Sequence, residues 1–297
     1  MQQTLSIAVL AGVGGMLGWG FADFFAKKTI DAIGDMVSLV WAHVFGTIAF
    51  LIVPACQLAF GGSISLPDTG QGWALLVFFG ALQAAVYLLV YRGFGKGQLG
   101  VLNPVFSSFS GLTALLSILV FGEAVSGGQL FALCVIFAGI MVINLDFRAL
   151  RMRQLRLLHV PGLLEVGIAT ILAALWTLGW DKFIDGKDWS SYAVLMYAFM
   201  TVTILVIARA RGVALAVRRG DVWKFLVLIG ICETVAYWAI SLGYSTTPHT
   251  SVVAVLSGAF ALPTIILARV FLKEQIPLFQ TVGSGMIVCG IVLLPAL

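Results

Sequence analysis

WALLVFFGALQAAVYLLVYRG, residues 73–93, returns 150 positions later as WKFLVLIGICETVAYWAISLG, residues 223–243. Trp73, Leu76, Val77, Gly80, Tyr87 and Gly93 fall on Trp223, Leu226, Val227, Gly230, Tyr237 and Gly243, while Gln83 falls on Glu233. Each stretch is almost continuously apolar and matches the roughly 20 residues a helix needs to cross a bilayer. Strands of a membrane barrel alternate lipid-facing and lumen-facing residues over about 10 positions, and neither stretch alternates. A membrane helix has been duplicated, and the polar residue at its centre differs between the copies.

The duplication extends outward from these stretches. At an offset of 151, Glu123, Gln129 and Gly139 meet Glu274, Gln280 and Gly290, and Trp19 finds a weaker counterpart in Trp176. The apolar runs read as ten spans at about 5–26, 36–58, 72–92, 99–121, 126–146, 161–181, 190–209, 222–244, 249–271 and 275–296. Five crossings leave the chain on the far side, so a tandem five-span unit must sit in two opposite orientations, the inverted repeat of secondary transporters. The expected fold is all-α. Residues 1–147 form a first five-helix repeat, 148–160 a basic cytoplasmic linker, and 161–297 a second five-helix repeat.

Composition requires lipid as the solvent. With 61% hydrophobic and 10% charged side chains, the 297 residues hold too few polar groups to cover a water-soluble globule. Basic residues next to spans stay in the cytoplasm, and fifteen of the seventeen Lys and Arg fall in alternate loops. These are Lys27, Lys28, Arg92, Lys96, the run Arg148 to Arg156, the group Arg209 to Lys224, Arg269 and Lys273. Lys182 and Lys187, mixed with Asp181, Asp185 and Asp188, fall on the other side together with both termini. The expected location is therefore the inner (plasma) membrane, with both termini periplasmic or extracellular. The net charge of +4 borders membrane spans and forms no face with interleaved aromatics, so no nucleic-acid partner is expected. Cys56, Cys134, Cys232 and Cys289 each lie inside a span without CxxC spacing and read as small apolar core residues. Met1–Gly15 lacks a basic leader and reads as the start of the first span, not a cleaved signal.

Two hairpins carry a resemblance: SILVFGEAVSGGQLFALCVIFAGIMVIN, residues 117–144, and ISLGYSTTPHTSVVAVLSGAFALPTIILARVFLKEQIPLFQTVGSGMIVCGIVLL, residues 240–294. Each reads as an apolar helix, a Glu, a short polar turn and a Gly-rich closing helix. In this the chain resembles the drug/metabolite transporter superfamily, specifically its ten-helix EamA-type members, over nearly its whole length. The resemblance implies an alternating-access carrier of small metabolites that hydrolyses no ATP. It implies a cavity between spans 1–4 and 6–9, with spans 5 and 10 at the periphery.

Polar and aromatic residues at membrane depth are the candidates for a site. Glu233 stands near the middle of its span, where insertion of an acidic side chain costs about 2.5 to 3.5 kcal/mol. It is expected to bind a proton or a cationic substrate; the alternative is a permanently neutral Glu bonding two helices together. Gln83, its repeat mate, both donates and accepts. Tyr87 and Tyr237 lie four residues further on, hence on the same helical face. Trp19, Trp176 and Trp180 are expected to line the cavity from spans 1 and 6, while Trp73, Trp189 and Trp223 read as interface anchors. Asn103 with Pro104, and Pro263, mark kinks of the kind transporters place at their sites. Asp23 and His43 are further proton-coupling candidates, although Asp23 precedes Lys27 by four residues, an ion-pair spacing, and a buried neutral His is common. Gly14 and Gly18, and Gly283, Gly285 and Gly290, allow close helix approach.

Rival chemistries lack their motifs. There is no GxxxxGK(S/T), HExxH or GxSxG, and His43, His159 and His249 are dispersed, so neither an ATPase, a metal site nor an intramembrane hydrolase is expected. No cofactor is implied. The expected partners are the bilayer, a small-molecule substrate and protons, for a monomer or homodimer. The function expected is secondary transport of a small amphipathic metabolite, an amino acid or related compound first, with export preferred. A channel-like facilitator or lipid scramblase, and a non-transporting sensor or structural protein, stay open at this point.

Overall fold

A computed structural model describes residues 2–61, 63–94, 96, 102, 105–144, 161–271 and 277–294. Every regular element among them is helical: α1 (Gln2–Ile33), α2 (Asp35–Ala59), α3 (Gly70–Phe94), α4 (Phe109–Leu119), α5 (Gly127–Asn144), α6 (Leu163–Ile184) and α7 (Trp189–Ala210). A 3₁₀ turn at Gly220–Val222 leads into α8 (Trp223–Thr246), followed by α9 (Thr250–Ser257), α10 (Ala261–Phe271) and α11 (Leu278–Leu293). Helices satisfy every backbone donor and acceptor internally, which hydrocarbon demands. The turns fall where left-handed backbone is available, as at Gly34 (φ 84°), which separates α1 from α2 in a single residue.

Seven apolar stretches among the described residues are long enough to cross a bilayer, and three more apolar helices, Val105–Leu119, Gly127–Ile143 and Leu278–Leu293, are shorter. The 16 residues of α11 reach about 24 Å at 1.5 Å each, against a hydrocarbon core of about 30 Å. This is a multi-pass membrane protein. Its outer surface is apolar: Leu10, Ile52, Leu164, Val206 and Val292 are all more than half exposed. Cys56, Cys134 and Cys289 share that surface, and only Cys232 is partly covered. The core position expected for them gives way to the lipid face, where a thiol meets no polar solvent.

Helix packing repeats the internal symmetry. α1 packs on α8 as α6 packs on α3; α2 on α8 as α7 on α3; α1 on α9 as α6 on α4. The remaining principal contacts join counterparts: α2 with α7, α4 with α9 and α5 with α11. Glycines permit these approaches. A Cβ on Gly80 would lie 2.8 Å from Met196 O and Met200 N of α7, and one on its repeat mate Gly230 would lie 2.5 Å from Gly46 N of α2. Gly14 and Gly18 abut Ala239 and Cys232 O of α8, while Gly283 and Gly290 abut Gly139 O and Ala132 O of α5. These small-residue faces are used within the monomer, and Gly285 alone of the expected set faces open space.

The ninth expected span is broken. α9 ends at Ser257, three turn residues intervene, and Pro263 sits in the first turn of α10, where a missing N–H costs nothing. α1 closes on this break: a Cβ on Gly20 would come within 2.5 Å of Phe260 O, and Thr264 Oγ1 donates to Gly20 O at 2.8 Å.

Candidate substrate site

α3 and α8 bring their central polar residues face to face. Gln83 Nε2 donates to the Tyr237 hydroxyl at 2.7 Å, and Tyr237 donates to the Tyr87 hydroxyl at 3.3 Å. Tyr87 in turn donates to the Glu233 carboxylate, 3.1 Å from Oε2 and 3.3 Å from Oε1. The hydrogens all run one way, from the amide to the acid. Because Tyr87 and Tyr237 are repeat mates, as are Gln83 and Glu233, the pseudo-two-fold axis passes between the two hydroxyls. The ends match in burial as well, Gln83 and Glu233 each being 7% exposed.

Aromatic rings enclose the chain. Trp19, Trp176 and Tyr197 stand edge-on to Tyr237 with centroids 5.6, 6.0 and 5.4 Å away. His43 stacks on Tyr197 at 5.4 Å and meets Tyr87 edge-on at 5.1 Å. α2 and α7 cross here, held by a Thr47–Thr201 hydroxyl bond of 2.9 Å and by Thr201 Oγ1 donating to His43 O. Gly46 makes the crossing possible, since a Cβ there would lie 2.3 Å from the Tyr197 hydroxyl oxygen. Thr234 Oγ1 on α8 donates to Gly46 O at 3.0 Å, tying the acid-bearing helix to the same point.

Buried polar atoms in proteins nearly always have partners, so those without one mark what a site awaits. Six buried side-chain atoms among the described residues lack a partner, and four belong to this cluster: Trp19 Nε1, His43 Nε2, Gln83 Oε1 and Tyr197 OH. His43 Nδ1 lies 2.8 Å from Leu39 O, which can only accept, so Nδ1 carries hydrogen and the neutral ring offers Nε2 as a bare acceptor. The cluster thus presents acceptors at His43, Gln83 and Glu233, donors at Trp19 and Tyr197, and apolar ring surface between them. The arrangement suits an amphipathic molecule.

Of the expected site residues, Trp19, Gln83, Tyr87, Trp176, Glu233, Tyr237 and His43 meet in this cluster. Trp180 lies one layer away, stacked on Trp176 at 5.7 Å with its indole N–H on Ser241 Oγ at 3.2 Å. Asp23 is exposed on α1, one turn beyond Trp19, and the side chain of its expected partner Lys27 lies outside the described residues. Asn103 and Pro104 also lie outside them, as does the basic linker 148–160. Tyr197 is not among the residues expected at the site; its signal is a mid-span hydroxylated aromatic 154 residues after His43, the offset at which Phe45 meets Phe199 and Thr47 meets Thr201.

Beyond Trp180, a cavity of about 420 Å³ is lined by Phe121, Glu123, Asp181, Asp185, Tyr244 and Thr250, among others. These residues come from the ends of α6, α8 and α9 and from the turns that follow α4 and α6. Glu123 accepts from Ser117 Oγ at 2.6 Å and from Ser251 N and Oγ at 2.9 and 2.6 Å, bracing α4 against α9. Asp181, 3% exposed, accepts from Thr250 and pairs with Lys182 at 3.2 Å. At the opposite end, Glu165 pairs with Lys96 and, at 3.8 Å, with Arg92, drawing α3 to α6.

A family model described as the EamA-like transporter family matches residues 6–145 and 160–295, one match per repeat. A solved structure described as "Crystal structure of protein" superposes with a TM-score of 0.78 over 97% of this chain and 96% of its own, at 17% identity, a likeness of fold alone. No curated protein matches the sequence.

Proposed function

This chain belongs to the EamA-like transporter family, and on that premise we propose that it is a ten-span secondary carrier of a small amphipathic metabolite. An amino acid or related compound is the preferred substrate, export the preferred direction and protons the coupling ion. The three shorter apolar helices complete the ten spans, α9 and α10 together making the ninth. Both termini then lie on the outer side of the inner membrane, a placement supported by the fifteen-to-two partition of basic residues. Residues 1–147 and 161–297 rock as two units about the central cluster, with α5 and α11 paired at the edge.

The observation that carries this reading is the convergence of four unpartnered polar atoms on the hydrogen-bond chain between the repeats. A purely structural network satisfies its own members, whereas a binding site keeps atoms in reserve for a ligand. Glu233 is the carboxylate of that chain and the residue assigned to carry the exchangeable proton.

The test is flux in proteoliposomes holding the purified full chain, exposed to a radiolabelled mixture of the common amino acids under an imposed pH difference. A proton-coupled carrier concentrates label above the level reached without the gradient. Equilibration without accumulation means a facilitator, and no flux means a sensor; either outcome overturns the proposal.

A further inference from the structure

The chain from Gln83 through Tyr237 and Tyr87 to Glu233 has a direction, yet its two middle members are equivalent. The two tyrosine hydroxyls flank the two-fold axis, each able to donate either way. Read from the other end with the residues exchanged, every bond reverses and none is lost: the amide on α8 would donate to Tyr87, Tyr87 to Tyr237, and Tyr237 to the acid on α3. The two ends are equally buried, and ring neighbours follow the same exchange: His43 of α2 meets Tyr87 edge-on at 5.1 Å as Tyr197 of α7 meets Tyr237 at 5.4 Å, although Trp19 and Trp176 both stand against Tyr237.

We infer that Gln83 is the residue that sets the direction of this chain, and that the acid-bearing end can be moved from the second repeat to the first by exchanging Gln83 and Glu233. Gln83 is a positioning residue: it acts on Glu233 through two hydroxyls and holds both of their hydrogens pointed at the carboxylate. A carboxylate, which only accepts, fixes one end; a donor at the other end makes the orientation unique. With glutamate at both ends the chain is one hydrogen short, so Gln83→Glu alone must take up a further proton to be satisfied. The exchange Gln83→Glu with Glu233→Gln conserves every bond, the hydrogen count and the charge.

The inference rests on the reading of Glu233 as the coupling carboxylate, and the experiment separates the two. The full-length wild type, Glu233→Gln, Gln83→Glu and the double exchange are reconstituted and assayed for pH-driven accumulation of the labelled amino-acid mixture. The carboxylic-acid infrared band that the buried acid shows once it has taken up its proton is followed in parallel. Glu233→Gln is expected to fall to the gradient-free level and to lose the band. The double exchange is expected to regain the band and, with an exchangeable proton restored to the chain, to accumulate label above the gradient-free level as wild type does. Gln83→Glu alone, which takes up one further proton, is expected to keep a carboxylic-acid band at a pH where wild type has lost it. A double exchange that is monodisperse and folded but stays at the level of Glu233→Gln overturns the inference and leaves the coupling role of Glu233 standing. Wild-type accumulation in Glu233→Gln overturns both.

Discussion

Gly230→Ala is a one-carbon perturbation whose effect can be worked from the helix contacts. The added Cβ would lie 2.5 Å from Gly46 N, 2.8 Å from Phe45 C and 2.9 Å from Ala42 O, all backbone atoms of α2 that no side-chain rotation can move. Restoring ordinary contact at 3.4 Å requires α8 to retreat by about 0.9 Å, and overpacking of this kind costs about 1 to 3 kcal/mol. Alanine also gains up to about 1 kcal/mol over glycine in helix propensity, which would hide part of the loss. Gly285→Ala supplies the correction, because a Cβ there meets nothing within 4 Å on α11. The difference between the two variants isolates the overpacking and should amount to a roughly 5- to 150-fold shift in the folded-to-unfolded ratio. Equilibrium unfolding in mixed micelles, followed by tryptophan fluorescence, measures it. The retreat should also lengthen the Thr234–Gly46 bond and carry Glu233, one turn on, away from Tyr87. Equal stability of Gly230→Ala and Gly285→Ala would refute the close α2–α8 approach on which the site depends.

Tyr237→Phe keeps the ring that Trp19, Trp176 and Tyr197 abut but removes the hydroxyl between Gln83 and Tyr87; thermal melts should show a cost of about 1 kcal/mol with normal folded yield. Ligand affinity by fluorescence titration should fall in the same variant, and unchanged affinity would place Tyr237 in ordinary packing. Glu123→Ala removes the acceptor of three hydrogen bonds joining α4 to α9, and should destabilise the fold by about 2 kcal/mol or more in the same micelle titration. Topology reporters fused after Leu297 should report the outer side and those placed between Arg148 and Arg156 the cytoplasm; a cytoplasmic carboxyl terminus would contradict both span count and orientation.

The architecture was legible because lipid leaves the sequence few choices. Continuous apolar runs mark helices, and the matches from Trp73 to Gly93 against Trp223 to Gly243 align the halves without any structure. The same alignment reached Gln83, Tyr87, Glu233 and Tyr237, since residues four apart on one helix share a face. What the sequence hid was contact between counterpart helices. Spans 2 and 7 align at an offset of 154, as Phe45 with Phe199 and Thr47 with Thr201, but an alignment names counterparts and does not say that His43 and Tyr197 stack on each other. Charges near span ends were equally opaque: Asp181 reads as a loop residue but is buried against Thr250, and Glu165 of α6 finds Lys96, 69 residues earlier just past α3, a pairing that no spacing in the sequence announces. The cysteines went the other way, because an apolar residue in a membrane protein faces lipid as readily as core.

The central claim is that Glu233 couples transport to protons, and Glu233→Gln tests it most directly because the amide keeps the size of the side chain and its bond from Tyr87 while losing the charge change. Proteoliposomes holding wild type or variant are given the same pH difference and the same labelled amino-acid mixture. Wild type is expected to concentrate label and the variant to leave it at the gradient-free level, with counterflow exchange of the same label preserved in both. A Glu233→Gln protein that concentrates label as wild type does would make Glu233 a structural bond between helices and send the search for the coupling residue to Asp23 or His43.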